Sequence, residues 1–196
     1  RRIAHEIKNP LSPIQMAMET LRKAHQKRTP NFDEIFEEST RAVLEEVRRL
    51  ERIVREFSEF ARLPKPKPGA LNLAALIDEV VQLYGPGDVA LEVEQTNPLP
   101  DVRVDREQIT QVIVNLLQNA FDAARSETGR TPRVHITLRA EAEGVVLEMD
   151  DSGVGVPEPD RARIFEPYVT TKAHGTGLGL AIVKRILSDH GASIEV

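Results

Sequence analysis

The sequence predicts an all-α helical hairpin followed by an α+β sandwich, and three observations carry that expectation. Apolar residues recur every three or four positions from Ile3 to Leu63. Pro64, Pro66 and Pro68 then interrupt any helix, and beyond Gly69 helical and strand-like periods alternate. A period near 3.6 marks an amphipathic helix, and strands mixed with helices mark a layered sandwich.

Taken in order, Ile3, Ile7, Leu11, Ile14, Met18 and Leu21 line one face of a first helix, which Arg28-Thr29-Pro30-Asn31 ends. A second run follows in which Phe36, Thr40, Val43, Val47, Leu50, Val54, Phe57 and Ala61 alternate steps of four and three, the seam of a coiled coil. Glu45-Glu46, Arg48-Arg49, Glu51-Arg52 and Arg55-Glu56 fill the faces between as a solvated, ion-paired surface. A hairpin this small has little apolar surface of its own, so two copies are expected to pair as a dimeric four-helix bundle. Residues 1–63 form this first domain. The proline-rich stretch 64–69 reads as a semi-rigid linker, because each proline fixes φ and removes a backbone donor.

Residues 70–196 form the second domain. Asn72 can cap a helix carrying Leu73, Leu76, Ile77, Val80 and Val81. Strand-like alternation covers Val89–Val93 and Val102–Asp105, a helix covers Arg106–Ala124, and two strands, Arg133–Ala140 and Val145–Asp150, flank Gly144. A last helix is expected over Gly177–Asp189, with another strand from Ser193 onward. The chain opens on Arg1 in mid-helix and stops at Val196 inside a strand-like run, as an excised fragment would, with the second domain truncated at its C-terminus.

Composition narrows the function. The 196 residues are 40% hydrophobic, 29% charged and only 4% aromatic, with no Cys and a net charge of −5. That charge provides no basic field for nucleic-acid phosphates. Absence of Cys excludes disulfides and thiolate metal sites and fits a reducing compartment. Because no run of about 18 apolar residues occurs, no direct membrane contact is expected of these residues.

Three clusters in the second domain carry chemistry. Asn115 and Asn119 stand four apart on one helical face and can aim two neutral carbonyl oxygens at one point, as Mg2+ carrying phosphates and water accepts. Asp150-Asp151-Ser152-Gly153-Val154-Gly155 follows a strand; a carboxylate there can accept from a purine amino group while glycines admit the flat ring. Gly175-Thr176-Gly177-Leu178-Gly179-Leu180 runs into a helix, where free N–H groups and the helix dipole favour a phosphate. No Lys-Ser or Lys-Thr follows the last glycine, and Leu180 stands where a dinucleotide fingerprint needs Gly, so neither the P-loop nor the Rossmann pattern fits. Between the last two clusters, the lid-like stretch Arg161–His174 contains Phe165 and Tyr168 as anchors and Lys172 as a phosphate contact.

In order and spacing, Asn115–Ala123, Asp151–Pro157, Phe165–Lys172 and Gly175–Leu180 resemble the N box, first glycine box, F box and second glycine box of the Bergerat-fold ATPases, a group that includes histidine kinases, MutL and gyrase. The resemblance implies an ATP-binding sandwich in which Asn119, with Asn115, ligates Mg2+ and Asp151 holds the adenine amino group. It also implies that Gly153, Gly155, Phe165, Lys172, Gly175, Thr176, Gly177, Leu178 and Gly179 line or close the nucleotide site. Hydrolases of the group carry Glu four residues before the Mg2+ Asn, as general base for water; here that place is Asn115, which cannot take a proton. Water attack is then slow and another acceptor is needed.

Ala4-His5-Glu6-Ile7-Lys8-Asn9-Pro10 resembles the H-box of sensor histidine kinases. An imidazole titrating near about 6.5 is largely neutral and nucleophilic at pH 7. His5 would attack the γ-phosphorus through Nε2 while Glu6 accepts the Nδ1 proton. Pro10 removes a donor and clashes with the Glu6 carbonyl, a break expected to loosen and bend the helix there. Glu6 and Asn9 also match the Glu-x-x-Asn pattern with which the family dephosphorylates response regulators, Asn9 positioning the water. His25, His135, His174 and His190 read as structural or merely exposed.

Together with Glu56-Phe57-Ser58-Glu59-Phe60-Ala61-Arg62-Leu63-Pro64-Lys65-Pro66, the H-box resembles the nitrogen-regulation, NtrY-type branch, over nearly the whole chain. That implies ATP and Mg2+ as cofactors, a homodimer, a response-regulator receiver domain as partner, and a cytoplasmic fragment of a sensor anchored in a bacterial inner membrane. The last glycine box departs from the family, with Gly191-Ala192 where Gly-Gly is usual. An ATP-gated dimerisation module, or an ATPase or Ser kinase of the same fold, are the alternatives; each leaves His5 without a role.

Overall fold

A computed structural model describes residues 2–85, 87–96, 98–127, 129, 131–142, 144–172 and 175–196; of residues 2–6 and 59 it describes the backbone alone. The chain divides into two compact units, one of residues 1–63 with 170–178, the other of residues 64–169 with 179–196.

In the first unit, α1 (Arg2–Lys27) and α2 (Phe32–Ala61) pack as an antiparallel hairpin. Its inner face buries Ala24, Ser39 and Ile53. Arg28 ends α1 in the left-handed region at φ 50°, so the N–H of Arg28 reaches the His25 carbonyl and that of Thr29 the Ala24 carbonyl at 3.1 Å. These contacts satisfy carbonyls that every helix end leaves free. The prolines do not end α1: both Pro10 and Pro13 lie inside it. Pro10 is buried, and its packing offsets the lost hydrogen bond, since tertiary contact rather than propensity stabilises most protein helices.

The second unit contains two sheets. One pairs β1 (Gly69–Leu71) antiparallel with β3 (Val102–Val104). The other has the order β2-β4-β5, with β2 (Ala90–Gln95) parallel to β4 (Arg133–Glu141) and β5 (Gly144–Asp151) antiparallel to it. Alternation on β4 sends Val134, Ile136 and Leu138 to full burial and His135 and Thr137 to the other face. Against that apolar face lies α4 (Arg106–Ser126), burying Val112, Ile113, Leu117, Ala120, Phe121 and Ala124. Fully buried Leu or Ile side chains contribute about 2 kcal/mol each, so α4 is held firmly. Also in this layer are α3 (Leu73–Tyr84), with Leu76, Ile77 and Val80 buried, and α6 (Gly179–Asp189), with Ile182, Val183 and Ile186. A one-turn helix, α5 (Glu158–Arg161), follows Pro157.

The helical hairpin and α+β sandwich therefore stand as expected, with several local differences. The sheet is split in two, because β1 and β3 pair with each other alone. β1 lies where a linker was expected to end, and α5 went unpredicted. No strand forms over residues 193–196. Among the described residues no helix is long and apolar enough to cross a membrane.

Helix starts obey capping chemistry. Asn72 accepts the Ala75 N–H at 2.9 Å. Asp105 accepts the Gln108 N–H at 3.2 Å through one carboxylate oxygen and the Lys67 N–H at 2.7 Å through the other. The Lys67 N–H first, then those of Gln108 and Glu107, hold the Asp105 carboxyl below the ordinary carboxylate range. A folded-state value below the unfolded one gives stability that is complete at neutral pH and fades as pH falls through the depressed value. Asp105→Ala is expected to cost about 1 kcal/mol at pH 7, and urea titrations should find the difference shrinking as pH falls below about 4.

Candidate nucleotide site

Because β5 ends at Asp151 beside α4, the turn that follows meets the helix backbone. Asp151 pairs with Val134 in the ladder, and one of its carboxylate oxygens accepts the Gly153 N–H at 2.9 Å. Ser152 locks the turn further, its N–H donating to the Arg133 carbonyl and its hydroxyl accepting the Arg133 N–H, both at 3.0 Å. Gly153 is required by space: a Cβ there would lie 2.8 Å from Asp151 Oδ1 and 2.9 Å from the carbonyl carbon and Cβ of Ala123 on α4. Gly155 is required by conformation, at φ 73°.

Asn115 and Asn119 are half-buried on α4, between its buried apolar face and its exposed charged one. Gly179, the first residue of α6, faces Asn115: a Cβ there would sit 3.5 Å from Asn115 Oδ1. The start of α6, with its unpaired N–H groups, thus comes beside an amide oxygen of the Asn pair. Neutral oxygens beside a helix N-terminus fit a hard cation that arrives already neutralised by phosphates. No group of three or more His, Cys, Asp and Glu able to hold a metal occurs among the described residues, so any Mg2+ would depend on these amides and on phosphate oxygens. Phe165 is buried, with Lys184 Nζ of α6 5.7 Å from its ring centroid. Three residues later Tyr168 adopts φ 68°, a strained conformation for a bulky residue.

The remaining glycine-box residues lie in the segment grouped with the helical hairpin. Thr170 organises it: its hydroxyl accepts the Lys172 N–H at 3.1 Å and would lie 2.6 Å from a Cβ on Gly175. Gly177 is at φ 66° and Leu178 is buried. The Thr176 hydroxyl accepts the Leu178 N–H at 3.3 Å and donates to the Glu56 carboxylate of α2. Neither Glu56 nor Thr170 was singled out from the sequence, since nothing local to either marks it. On α1, Asn9 is exposed. The side chains of His5 and Glu6, and the whole of His174, lie outside the described residues.

Comparison with known proteins finds relatives for both parts of the chain. Residues 1–66 match the His Kinase A (phospho-acceptor) domain, and residues 104–196 match the histidine kinase-, DNA gyrase B-, and HSP90-like ATPase family. Nitrogen regulation protein NtrY of Azorhizobium caulinodans is 38% identical over the whole chain, which spans 26% of that relative. Among solved structures, the catalytic domain of histidine kinase ThkA is 34% identical with a TM-score of 0.57, covering 63% of this chain and 82% of that one. The complex of ThkA with the response regulator protein TrrA is 31% identical at a TM-score of 0.73, covering 97% of this chain and 54% of that one.

The tight Gly153 contact gives a direct test. Gly153→Ala forces either the turn or α4 to move, and overpacking of this kind costs about 1–3 kcal/mol. Nucleotide affinity, measured with a fluorescent ATP analogue, should fall about tenfold or more. Gly69→Ala, with open space at its Cβ, should leave it unchanged.

Proposed function

The chain belongs to the sensor histidine kinases, and from that premise we propose that it is the ATP-driven core that phosphorylates His5 and then an Asp of a response-regulator receiver domain. One observation carries the reading: a single chain joins a phospho-acceptor hairpin to an ATP-site sandwich in which Asn115 occupies the water-activating place. An amide there has no basic lone pair to take a proton from water, so the γ-phosphoryl group survives for a better nucleophile.

In this reading Nε2 of His5 attacks the γ-phosphorus in line, a P–N bond forms, and the bond to the β–γ bridging oxygen breaks to release ADP. The Nδ1 proton passes toward Glu6, which keeps the ring nucleophilic. Asp151, oriented by the Gly153 N–H, receives the adenine amino group. Lys172, Gly175, Thr176, Gly177 and Leu178 close over the phosphates, with Gly155 and Phe165 framing the ring and the lid. Mg2+, held by Asn119 and Asn115, would neutralise phosphate charge. The phosphoryl group then moves from nitrogen to the receiver carboxylate, and Glu6 with Asn9 supports the reverse duty, hydrolysis of the receiver's acyl phosphate by a positioned water.

Dimerisation is supported by apolar side chains that the hairpin leaves exposed: Met16 at 70%, Val54 at 52% and Phe36 at 46%. A groove of about 450 Å³ lined by Met18, Leu21, Phe32 and Phe36 adds to that surface. A second hairpin would cover these residues in a four-helix bundle. The similarity to ThkA, solved with its response regulator, supports a receiver partner, and the 26% of NtrY that is spanned supports a longer parent protein.

Incubation with γ-labelled ATP and Mg2+ tests the reading. An acid-labile, base-stable label is expected on the wild type and absent from His5→Gln, with nucleotide affinity unchanged. Label that persists in His5→Gln, or ATP hydrolysis that outpaces labelling, would place the chain among the ATPases or Ser kinases of this fold.

A further inference from the structure

We propose that residues 64–69 are a rigid extension of the ATP-binding unit, clamped by Gln108 and Asp105, so that the flexible part of the link following α2 narrows to Arg62 and Leu63. The inference rests on the kinase reading for its consequence and on local geometry for its existence.

Gln108 is one of two polar side chains buried among the described residues, at 6% exposure. Its Nε2 donates to the Pro64 carbonyl at 2.9 Å, and a buried amide is costly unless so paired. Three residues earlier on the chain, Asp105 accepts the Lys67 N–H. Asp105 is itself pinned: its own N–H donates to His190 Nε2 at 2.9 Å, while His190 Nδ1 donates to the Ile186 carbonyl at 2.8 Å. A neutral imidazole in one tautomer thus ties the start of α4 to the end of α6. Beyond the prolines, Gly69 enters the ladder opposite Val104. Pro64, Pro66 and Pro68 are rigid in φ, so two clamps and a strand pair leave the segment few loose torsions.

On the other side, α2 ends at Ala61, and the Arg62 N–H still donates to the Ser58 carbonyl at 3.0 Å. Leu63 precedes a proline and is pushed out of the helical region. Along this covalent link from α2 to β1, the torsions outside helix, clamps and strand are therefore chiefly those of Arg62 and Leu63. A tether's effective concentration falls roughly as the −3/2 power of its length, so loosening a joint from two residues to eight would dilute His5 at the ATP site about eightfold. Gln108 is a positioning residue: it touches neither nucleotide nor phosphate, and it acts through the Pro64 carbonyl.

The test uses the dimeric protein and Gln108→Leu, which keeps volume and removes the donor. Wild type should protect the Lys67 amide from hydrogen exchange, and the variant should lose that protection. At saturating ATP the rate of His5 labelling should drop about fivefold to tenfold, with nucleotide affinity within about twofold. Lys67→Ala, which keeps the backbone N–H, should match wild type. Should Gln108→Leu fail to fold, Asp105→Ala removes the acceptor of the Lys67 N–H and carries the same expectation. Two results overturn the proposal: labelling at the wild-type rate once Lys67 is unprotected, or rate, affinity and melting temperature all falling together. If the wild type takes no label, the kinase reading fails by itself; the clamp is then upheld by a protected Lys67 amide and overturned by a freely exchanging one.

Discussion

The ATP-binding unit depends on how closely one helix approaches one turn. At Gly153 the chain passes so near Ala123 of α4 that a single added carbon would collide with the helix backbone. Burial of Val112, Ile113, Leu117 and Phe121 presses α4 onto β4 and β5, and the missing side chain lets it come that close. The same contact sets Asp151 at the strand end and the Asn pair on the helix as parts of one rigid body. Preorganisation follows from packing, because interiors as dense as these deform little at the scale of a bond length.

Division of labour between the two units follows from their chemistry. The sandwich offers amide oxygens, a helix N-terminus and a carboxylate, all suited to holding a nucleotide, and an amide at Asn115, which cannot take a proton from water. The hairpin offers the imidazole. In the kinase reading, phosphoryl transfer requires that the two meet. In sequence, Thr170–Leu178 lies between β5 and α6. It is grouped with the hairpin, and its Thr176 hydroxyl is engaged by Glu56.

What the sequence revealed was whatever is encoded locally. Helix periods, the Asn72 cap, the strand pair around Gly144 and the glycine turns all rest on neighbouring residues, and the four boxes keep their order; Asp105, expected as the end of a strand, instead caps α4. The differences lie where distant residues decide. β1 is three residues long beside a proline run and exists only because β3 accepts it. α5 is one turn after Pro157, too short for any period. Residues 193–196 alternate as a strand would, yet pair with nothing among the described residues. The Pro64–Gln108 and Asp105–His190 contacts join positions 44 and 85 apart, and no spacing rule reaches so far.

If nucleotide seats on the surface formed by α4, the turn after β5 and the start of α6, titrating 15N-labelled protein with Mg2+ and a non-hydrolysable ATP analogue will show it directly. The largest resonance shifts are expected at the Asn115 and Asn119 side-chain amides and the Gly153 and Gly179 backbone amides, with the Asn shifts lost when Mg2+ is omitted. Shifts confined to the groove around Met18 and Phe36, or none on α4 at saturating analogue, would contradict it.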